Sequence, residues 1–142
     1  MKIFFGLVLV LFFTVAIFAV DVKEDYADFN GQKIYYKSIG KGKKALVFVH
    51  CWTCNSEFWK DSYKEFSEYR VVVVDLVGHG KSDKPKTNYT MEFFAQSVNA
   101  VLKKAKVKEA VLVGHSMGTP VIRQFYRLYP KQTKGLIIVD GG

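Results

Sequence analysis

The chain has 142 residues, of which 49% are hydrophobic, so it is long enough for one compact domain with a core, and a disordered chain is excluded. Its formal net charge of +8 comes from lysines along the whole chain, with small groups at residues 41–44 and 103–108. Because no aromatic residues interleave with these clusters, they indicate a solvated surface, and no nucleic-acid partner is expected.

Residues 1–20 differ in kind from the rest of the chain. Apolar residues run from Ile3 to Val20, Lys2 is the only charge before them, and charge resumes at Asp21. The run is close to the length that spans a bilayer. It predicts a cleaved signal peptide and hence an exported protein, periplasmic or secreted, with an N-terminal membrane anchor through residues 3–20 as the alternative. The folded part is then 21–142.

The first half of the folded part alternates strands with one helix. Strands are predicted at 32–38 and 45–50, on either side of a glycine-containing turn. A helical stretch over 56–68 follows, and then a strand over 70–75 that is rich in β-branched residues. Continuous apolar runs of this kind are typical of strands that are buried on both faces.

The second half repeats the alternation. Apolar residues at spacings of three and four predict a helix over 89–105, with Thr90 as its N-cap. A strand at 110–113, a helix through 121–129 and a last strand at 135–140 complete the chain. The pattern predicts an α/β fold with a mostly parallel sheet, helices on both faces, and loops at the carboxyl ends of the strands that are available for chemistry.

The segment Gly114-His115-Ser116-Met117-Gly118 lies between a predicted strand and a predicted helix. A serine on such a tight turn projects its hydroxyl out of the sheet, and small flanking residues let the strand and the helix approach closely. The helix that starts there also directs backbone amides toward developing negative charge. The motif predicts a nucleophile at Ser116, and the alternative is a serine that only caps the helix.

Three segments, in this order, resemble the α/β-hydrolase superfamily. Val49-His50-Cys51-Trp52 resembles its HG motif at a strand end, residues 75–83 resemble its D-x-x-G-x-G-x-S loop, and residues 114–118 resemble its nucleophile elbow. The resemblance runs from about residue 30 to the last residue. It implies an α/β-hydrolase fold that is truncated after the strand ending at Asp140, because the family continues into a cap region, further strands and a catalytic histidine.

The resemblance also implies roles for individual residues. Ser116 would be the nucleophile, and the backbone amides of Trp52 and Met117 would form the oxyanion hole. Cys51 departs from the family, which usually has glycine at this position. Asp140 is the one acidic residue after the serine and a candidate catalytic acid, although most of the family places its acid one strand later.

The three histidines are not expected to act as the general base. His50 would organise its loop, His79 would shape the loop beside the site, and the side chain of His115 would point away from the serine hydroxyl. No histidine follows His115. A triad needs an imidazole that reaches the serine, so this chain alone is expected to be inactive.

The resemblance therefore implies a serine hydrolase that acts on a small ester, amide or related acyl substrate, without a metal or an organic cofactor. Acyl transfer and perhydrolysis would use the same serine. The chain is expected to be the front half of a complete enzyme, and assembly with an unknown partner chain would also complete the site. The competing class is a non-catalytic pseudo-enzyme or interaction module that kept the fold.

The pair Cys51 and Cys54 forms a C-x-x-C motif beside the predicted oxyanion loop. A zinc site would need a second pair of ligands, and a redox motif normally opens a helix in another fold. Two free or loosely paired cysteines are therefore expected, and export would allow a local disulfide as the alternative.

Overall fold

The computed structural model describes residues 21–66 and 68–141, and it contains one six-stranded mixed sheet. Along the sheet the strands follow the order β1 (Val22–Phe29), β2 (Gln32–Ile39), β4 (Val71–Val74), β3 (Lys44–Val49), β5 (Glu109–His115) and β6 (Thr133–Val139). The signal peptide or anchor predicted for residues 1–20 lies outside the described residues. Within the described part of the chain, no helix is long and apolar enough to cross a membrane.

One edge of the sheet is an antiparallel hairpin of β1 (Val22–Phe29) and β2 (Gln32–Ile39). Strand β1 is absent from the sequence prediction because half of its side chains are charged and exposed, so it lacks an apolar stripe. The turn is made by Asn30 and Gly31, whose φ angles of 53° and 79° are those of a tight hairpin turn. The Asn-Gly pair was the signal that could have revealed it.

The parallel part of the sheet comprises β3 (Lys44–Val49), β4 (Val71–Val74), β5 (Glu109–His115) and β6 (Thr133–Val139). Strand β3 lies between β4 and β5 and runs parallel to both, and β5 pairs in parallel with β6. Strand β4 runs antiparallel to β2. The mostly parallel α/β sheet that the sequence predicts is confirmed, and all four residues of β4 are buried.

Helices cover both faces of the sheet. Helices α2 (Met91–Lys104) and α3 (Gly118–Leu128) pack on one face, in the core that contains Val47, Leu112 and Phe125. The Thr90 hydroxyl accepts the Phe93 amide at 3.1 Å, which confirms the predicted N-cap of α2. The other face holds a smaller core, to which Trp59 and Tyr63 contribute.

The single helical stretch predicted over 56–68 is wrong. The structure has a 3₁₀ helix at Ser56–Trp59 and a separate four-residue helix, α1 (Ser62–Glu65). The Asn55 side chain accepts the Glu57 amide, and the Ser56 amide donates to the Asp75 carboxylate at 2.6 Å. The bond to Asp75 tethers the first turn to the loop after β4. Trp59 at the end of this turn packs against Phe48, with ring centroids 5.1 Å apart.

Candidate active site

Ser116 lies on the turn of residues 114–118, which we call the elbow, between the end of β5 and the start of α3. Its φ angle of 48° lies in the left-handed region that non-glycine residues rarely adopt, and the residue is exposed. Positive φ at a non-glycine residue costs on the order of 1 kcal/mol or more and persists only where the surroundings enforce it. The sequence prediction that Ser116 occupies a strained strand-to-helix turn is confirmed.

The two glycines of the elbow enforce this conformation. A Cβ at Gly114 would lie 2.6 Å from the Gly118 carbonyl oxygen, and a Cβ at Gly118 would collide with the Val49 carbonyl oxygen. Strand β5, helix α3 and the end of β3 therefore approach more closely than any side chain allows. The Ser116 amide donates to the Val139 carbonyl at 3.2 Å, which joins the elbow to the end of β6.

The loop after β3 carries Trp52, the first predicted oxyanion donor, and Met117 on the elbow is the second. The contact between Gly118 and Val49 brings these two segments together. Within the described residues, neither the Trp52 amide nor the Met117 amide has a hydrogen-bond acceptor. The Trp52 ring is 59% exposed and lies edge-on to His79, at a centroid distance of 5.4 Å. The oxyanion role of both amides stays a prediction.

Cys51 and Cys54 form a disulfide, with Cα atoms 5.4 Å apart. The expectation of two free or loosely paired cysteines is therefore wrong. The Cys54 amide also donates to the Cys51 carbonyl at 3.3 Å, and Thr53 adopts a φ of 58°, so the four residues make a tight turn that brings the sulfur atoms together. The disulfide closes the turn that presents the Trp52 amide.

His50 is fully buried and structural. Its Nε2 accepts the Leu76 amide at 3.0 Å, which requires that the proton lies on Nδ1, and Nδ1 then donates to the Cys51 carbonyl at 2.8 Å. Burial lowers the pKa of the imidazole to about 4, so it is neutral at physiological pH. A side chain with both nitrogens engaged does not serve as the general base.

Asp75 organises the loop after β4, a role that sequence reasoning did not assign. Its buried carboxylate accepts the Ser56 amide at 2.6 Å and the Lys81 amide at 2.8 Å. A Cβ at Gly80 would collide with the same carboxylate. The signal was present, because an aspartate that directly follows a fully apolar strand must find backbone donors when it is buried.

The other two histidines also interact with groups other than the serine hydroxyl. His79 Nδ1 is 3.2 Å from the Val77 carbonyl oxygen, and its ring packs near those of His50 and Trp52. The His115 ring stacks on Phe58 at a centroid distance of 4.6 Å. All three histidines of the chain are described, and none of them hydrogen-bonds Ser116.

Asp140 follows β6 directly and has a φ of 47°. Its side chain is 91% exposed, and one carboxylate oxygen lies 3.8 Å from His115 Nε2. The next residue, Gly141, packs so closely on the Thr119 side chain that a Cβ there would overlap it. Asp140 thus stands at the same end of the sheet as Ser116, and its role as a catalytic acid stays a prediction.

Comparison with known proteins agrees with this geometry. A family model described as alpha/beta hydrolase fold matches residues 44–141. The non-heme chloroperoxidase CPO-A1 of Kitasatospora aureofaciens is 35% identical over 91 residues, which are 63% of this chain and 33% of that protein. The pimeloyl-[acyl-carrier protein] methyl ester esterase of Wigglesworthia glossinidia brevipalpis is 32% identical over 107 residues, 75% of this chain and 39% of that protein.

Among solved structures, that of Est816, described as an N-acyl homoserine lactone degrading enzyme, matches with a TM-score of 0.80 and 37% identity. The match covers 83% of this chain and 46% of Est816. The matches therefore cover 33% to 46% of the length of these three proteins, which is less than half of each.

Proposed function

Because the chain belongs to the α/β-hydrolase family, we propose that it supplies the nucleophile and the oxyanion hole of a serine hydrolase that cleaves esters or related acyl bonds. One observation carries the proposal. Ser116 is held exposed at a φ of 48°, between two glycines whose backbone contacts leave no room for a Cβ. A serine held in this way is aimed at a substrate rather than at its own backbone.

In the proposed reaction, Ser116 Oγ attacks the carbonyl carbon of the substrate and its proton passes to a base. The carbonyl oxygen becomes an oxyanion, which the Trp52 and Met117 amides stabilise. Their lack of acceptors in the described part of the chain supports this role. Collapse of the oxyanion expels the alcohol and leaves an acyl ester on Ser116, and water then releases the acid.

The base has to come from outside the described residues, because all three histidines have other partners or face other groups. A serine hydroxyl without a base is a weak nucleophile at neutral pH. We therefore propose that the 142 residues alone turn over little substrate, and that a longer parent chain or a partner chain contributes the histidine. In such an assembly, Asp140 is a candidate for the acid.

The proposed substrates are small acyl compounds. The esterase and Est816 similarities favour carboxylic esters, including cyclic esters such as N-acyl homoserine lactones. The apolar run before Asp21 supports export as the proposed location, with anchoring through residues 3–20 as the alternative.

A second candidate function is a non-catalytic binding module. The observation that favours it is the arrangement of the histidines, because a fold that keeps the elbow but lacks a base retains a shaped surface without turnover. Such a module would bind acyl ligands or a partner protein at the same end of the sheet.

The two candidates predict different lengths and different activities for the protein that the native cells contain. The test isolates the protein from its source, measures its intact mass, and assays hydrolysis of p-nitrophenyl butyrate and an N-acyl homoserine lactone. Two results together support the hydrolase. The mass is well above 16.2 kDa, and the activity is lost in Ser116→Ala but retained in Ser62→Ala, a control on the exposed start of α1. A mass of 16.2 kDa, or about 2 kDa less after loss of a leader, without Ser116-dependent activity supports the binding module.

A further inference from the structure

Two lysine clusters that are distant in sequence meet at the end of the sheet opposite Ser116. The amides of Lys108 and Glu109 both donate to the Lys43 carbonyl, at 2.7 and 3.0 Å. This pairing sets the turn before β3 against the loop after α2. We call the five cations that gather there the basic end, and they are Lys43, Arg70, Lys103, Lys106 and Lys108.

The basic end surrounds an open cleft of about 710 Å³. Its lining contains the five cations together with Gly42, Ala105 and Val107, and it includes no acidic side chain. Arg70 is fixed in place, because its guanidinium donates to the Gly42 and Ala105 carbonyls, each at 2.8 Å. The positive charge is therefore partly preorganised by the fold.

The lysines of the basic end are exposed and carry no counter-charge. Among the described residues, no salt bridge engages Lys43, Lys103, Lys106 or Lys108. At the rim, Glu109 pairs with Lys44 and Lys134, and Asp25 lies 3.8 Å from Lys104. Concentrated, unpaired charge of one sign attracts a polyanionic surface.

The topology of β1 brings the apolar leader sequence to the same place. Strand β1 begins at Val22, which pairs with Ile39, and the turn that carries Lys43 follows Ile39 directly. The chain before Asp21, with its apolar run from residue 3 to residue 20, therefore joins the fold beside the basic end. Ser116 lies at the other end of β5, about 20 Å away for seven residues of strand.

We infer that the basic end is a docking surface for the anionic headgroups of a phospholipid bilayer. Lysines next to an anionic leaflet strengthen binding by about fivefold each. In the chain that keeps residues 3–20, the apolar segment and the basic end together form a two-part signal of the kind that gives stable attachment, and after cleavage the basic end acts alone. Tyr69, which is 54% exposed beside Arg70, has the amphipathic ring that suits the headgroup region. Docked in this way, the molecule presents Ser116 away from the membrane.

The inference does not depend on hydrolase activity, and vesicle binding tests it. The full chain is mixed with vesicles of phosphatidylcholine alone and with vesicles that also contain phosphatidylglycerol, and the partition coefficients are measured at low and high salt. The basic-end variant carries Lys43→Gln, Lys103→Gln, Lys106→Gln and Lys108→Gln. The matched control carries Lys33→Gln, Lys60→Gln, Lys64→Gln and Lys86→Gln, four exposed lysines outside the basic end. Each variant loses four positive charges from the net charge of +8, so the two variants have the same net charge.

We expect the unmodified chain to prefer the phosphatidylglycerol vesicles, and high salt to remove the preference. The basic-end variant should lose at least about tenfold in partition onto these vesicles, while the matched control keeps most of it. Lysine-to-arginine changes at the same four positions should keep the binding, because they keep the charge. An unchanged circular dichroism spectrum and thermal unfolding of the basic-end variant exclude misfolding as the cause of its loss.

Three outcomes overturn the inference. Equal losses in both variants would mean that only net charge matters, and unchanged binding of the basic-end variant would mean that the surface is not used. Absence of any preference for phosphatidylglycerol, combined with RNA binding that the basic-end variant loses, would assign the surface to nucleic acid instead.

Discussion

At the scale of single residues, the buried His50 makes the stability of the fold depend on pH. Burial lowers the pKa of its imidazole to about 4, whereas the unfolded chain has the ordinary value of 6.5. Between these values the unfolded chain binds more protons than the folded one. The contribution of His50 to the free energy of unfolding is therefore fully present above the unfolded pKa and is lost as the pH falls toward the folded pKa. We expect the free energy of unfolding to fall by about 2 to 3 kcal/mol between about pH 8 and pH 4.5 through His50.

Urea unfolding at the two pH values measures this effect. His50→Gln should lower stability at neutral pH, because the Leu76 amide and the Cys51 carbonyl lose a fitted partner, and it should flatten the pH dependence. The matched control is His115→Gln, which should keep the slope, because His115 is not among the groups that shift the pKa of His50. An unchanged slope in His50→Gln would assign the acid sensitivity to another group.

Sequence reasoning reached the residues whose roles follow from local spacing and missed those whose roles depend on distant partners. The G-x-S-x-G spacing located the turn at Ser116, because tight turns are a local property. The carboxylate of Asp75, by contrast, binds amides from residues 19 positions before it and 6 after it. The disulfide of Cys51 and Cys54 needed the positive φ of Thr53, which side-chain type does not reveal.

At the scale of elements, the elbow depends on the close approach of α3 to the end of β3. Gly118→Ala would drive its Cβ into the Val49 carbonyl oxygen, so helix and strand must separate. We expect a loss of about 1 to 3 kcal/mol in the free energy of unfolding, typical of overpacking in a tight core.

Gly135→Ala on β6 is the matched control, because its Cβ would meet Val111 side-chain atoms at 3.6 and 3.7 Å, an ordinary contact. It should change stability by less than about 0.5 kcal/mol. Thermal unfolding of both variants compares them. Equal effects of the two substitutions would contradict the packing argument for the elbow.

Elements with a strong apolar period were predictable and those without one were not. Helix α2 has both an apolar stripe and a capping threonine, and its predicted bounds lie close to the observed ones. Strand β1 has neither, and it exists because the hairpin turn and its pairing with β2 provide its hydrogen bonds. The helix predicted over 56–68 starts instead as a short 3₁₀ helix, which a cap at Asn55 and the tertiary bond from Ser56 to Asp75 hold at its N-terminus.

At the scale of the whole molecule, β6 forms an apolar edge. Within the described residues it pairs only with β5, and Ile137, Ile138 and Val139 are 47%, 43% and 37% exposed. An exposed apolar edge strand is a template for pairing with other chains. We expect the 142-residue chain by itself to self-associate with rising concentration, and Ile137→Lys to reduce this association at least about fivefold.

Sedimentation velocity measures the association. The opposite edge provides the control, because β1 already carries exposed charges, and Tyr26→Lys replaces a side chain that is 43% exposed there. Tyr26→Lys should leave association through β6 unchanged. A larger effect of Tyr26→Lys than of Ile137→Lys would place the contact on the hairpin edge.

The strand order also determines when each part of the sheet can assemble as the chain leaves the ribosome. In the part of the chain that the structure describes, β3 pairs with β4 and β5 alone, and both follow it in sequence. After Val49 has been synthesised, about 25 residues must still be added before β4 is complete, which takes roughly 1 to 5 seconds at common elongation rates. During that interval the apolar residues of β3 have no strand beside them, and the nascent chain presents a binding site for a chaperone.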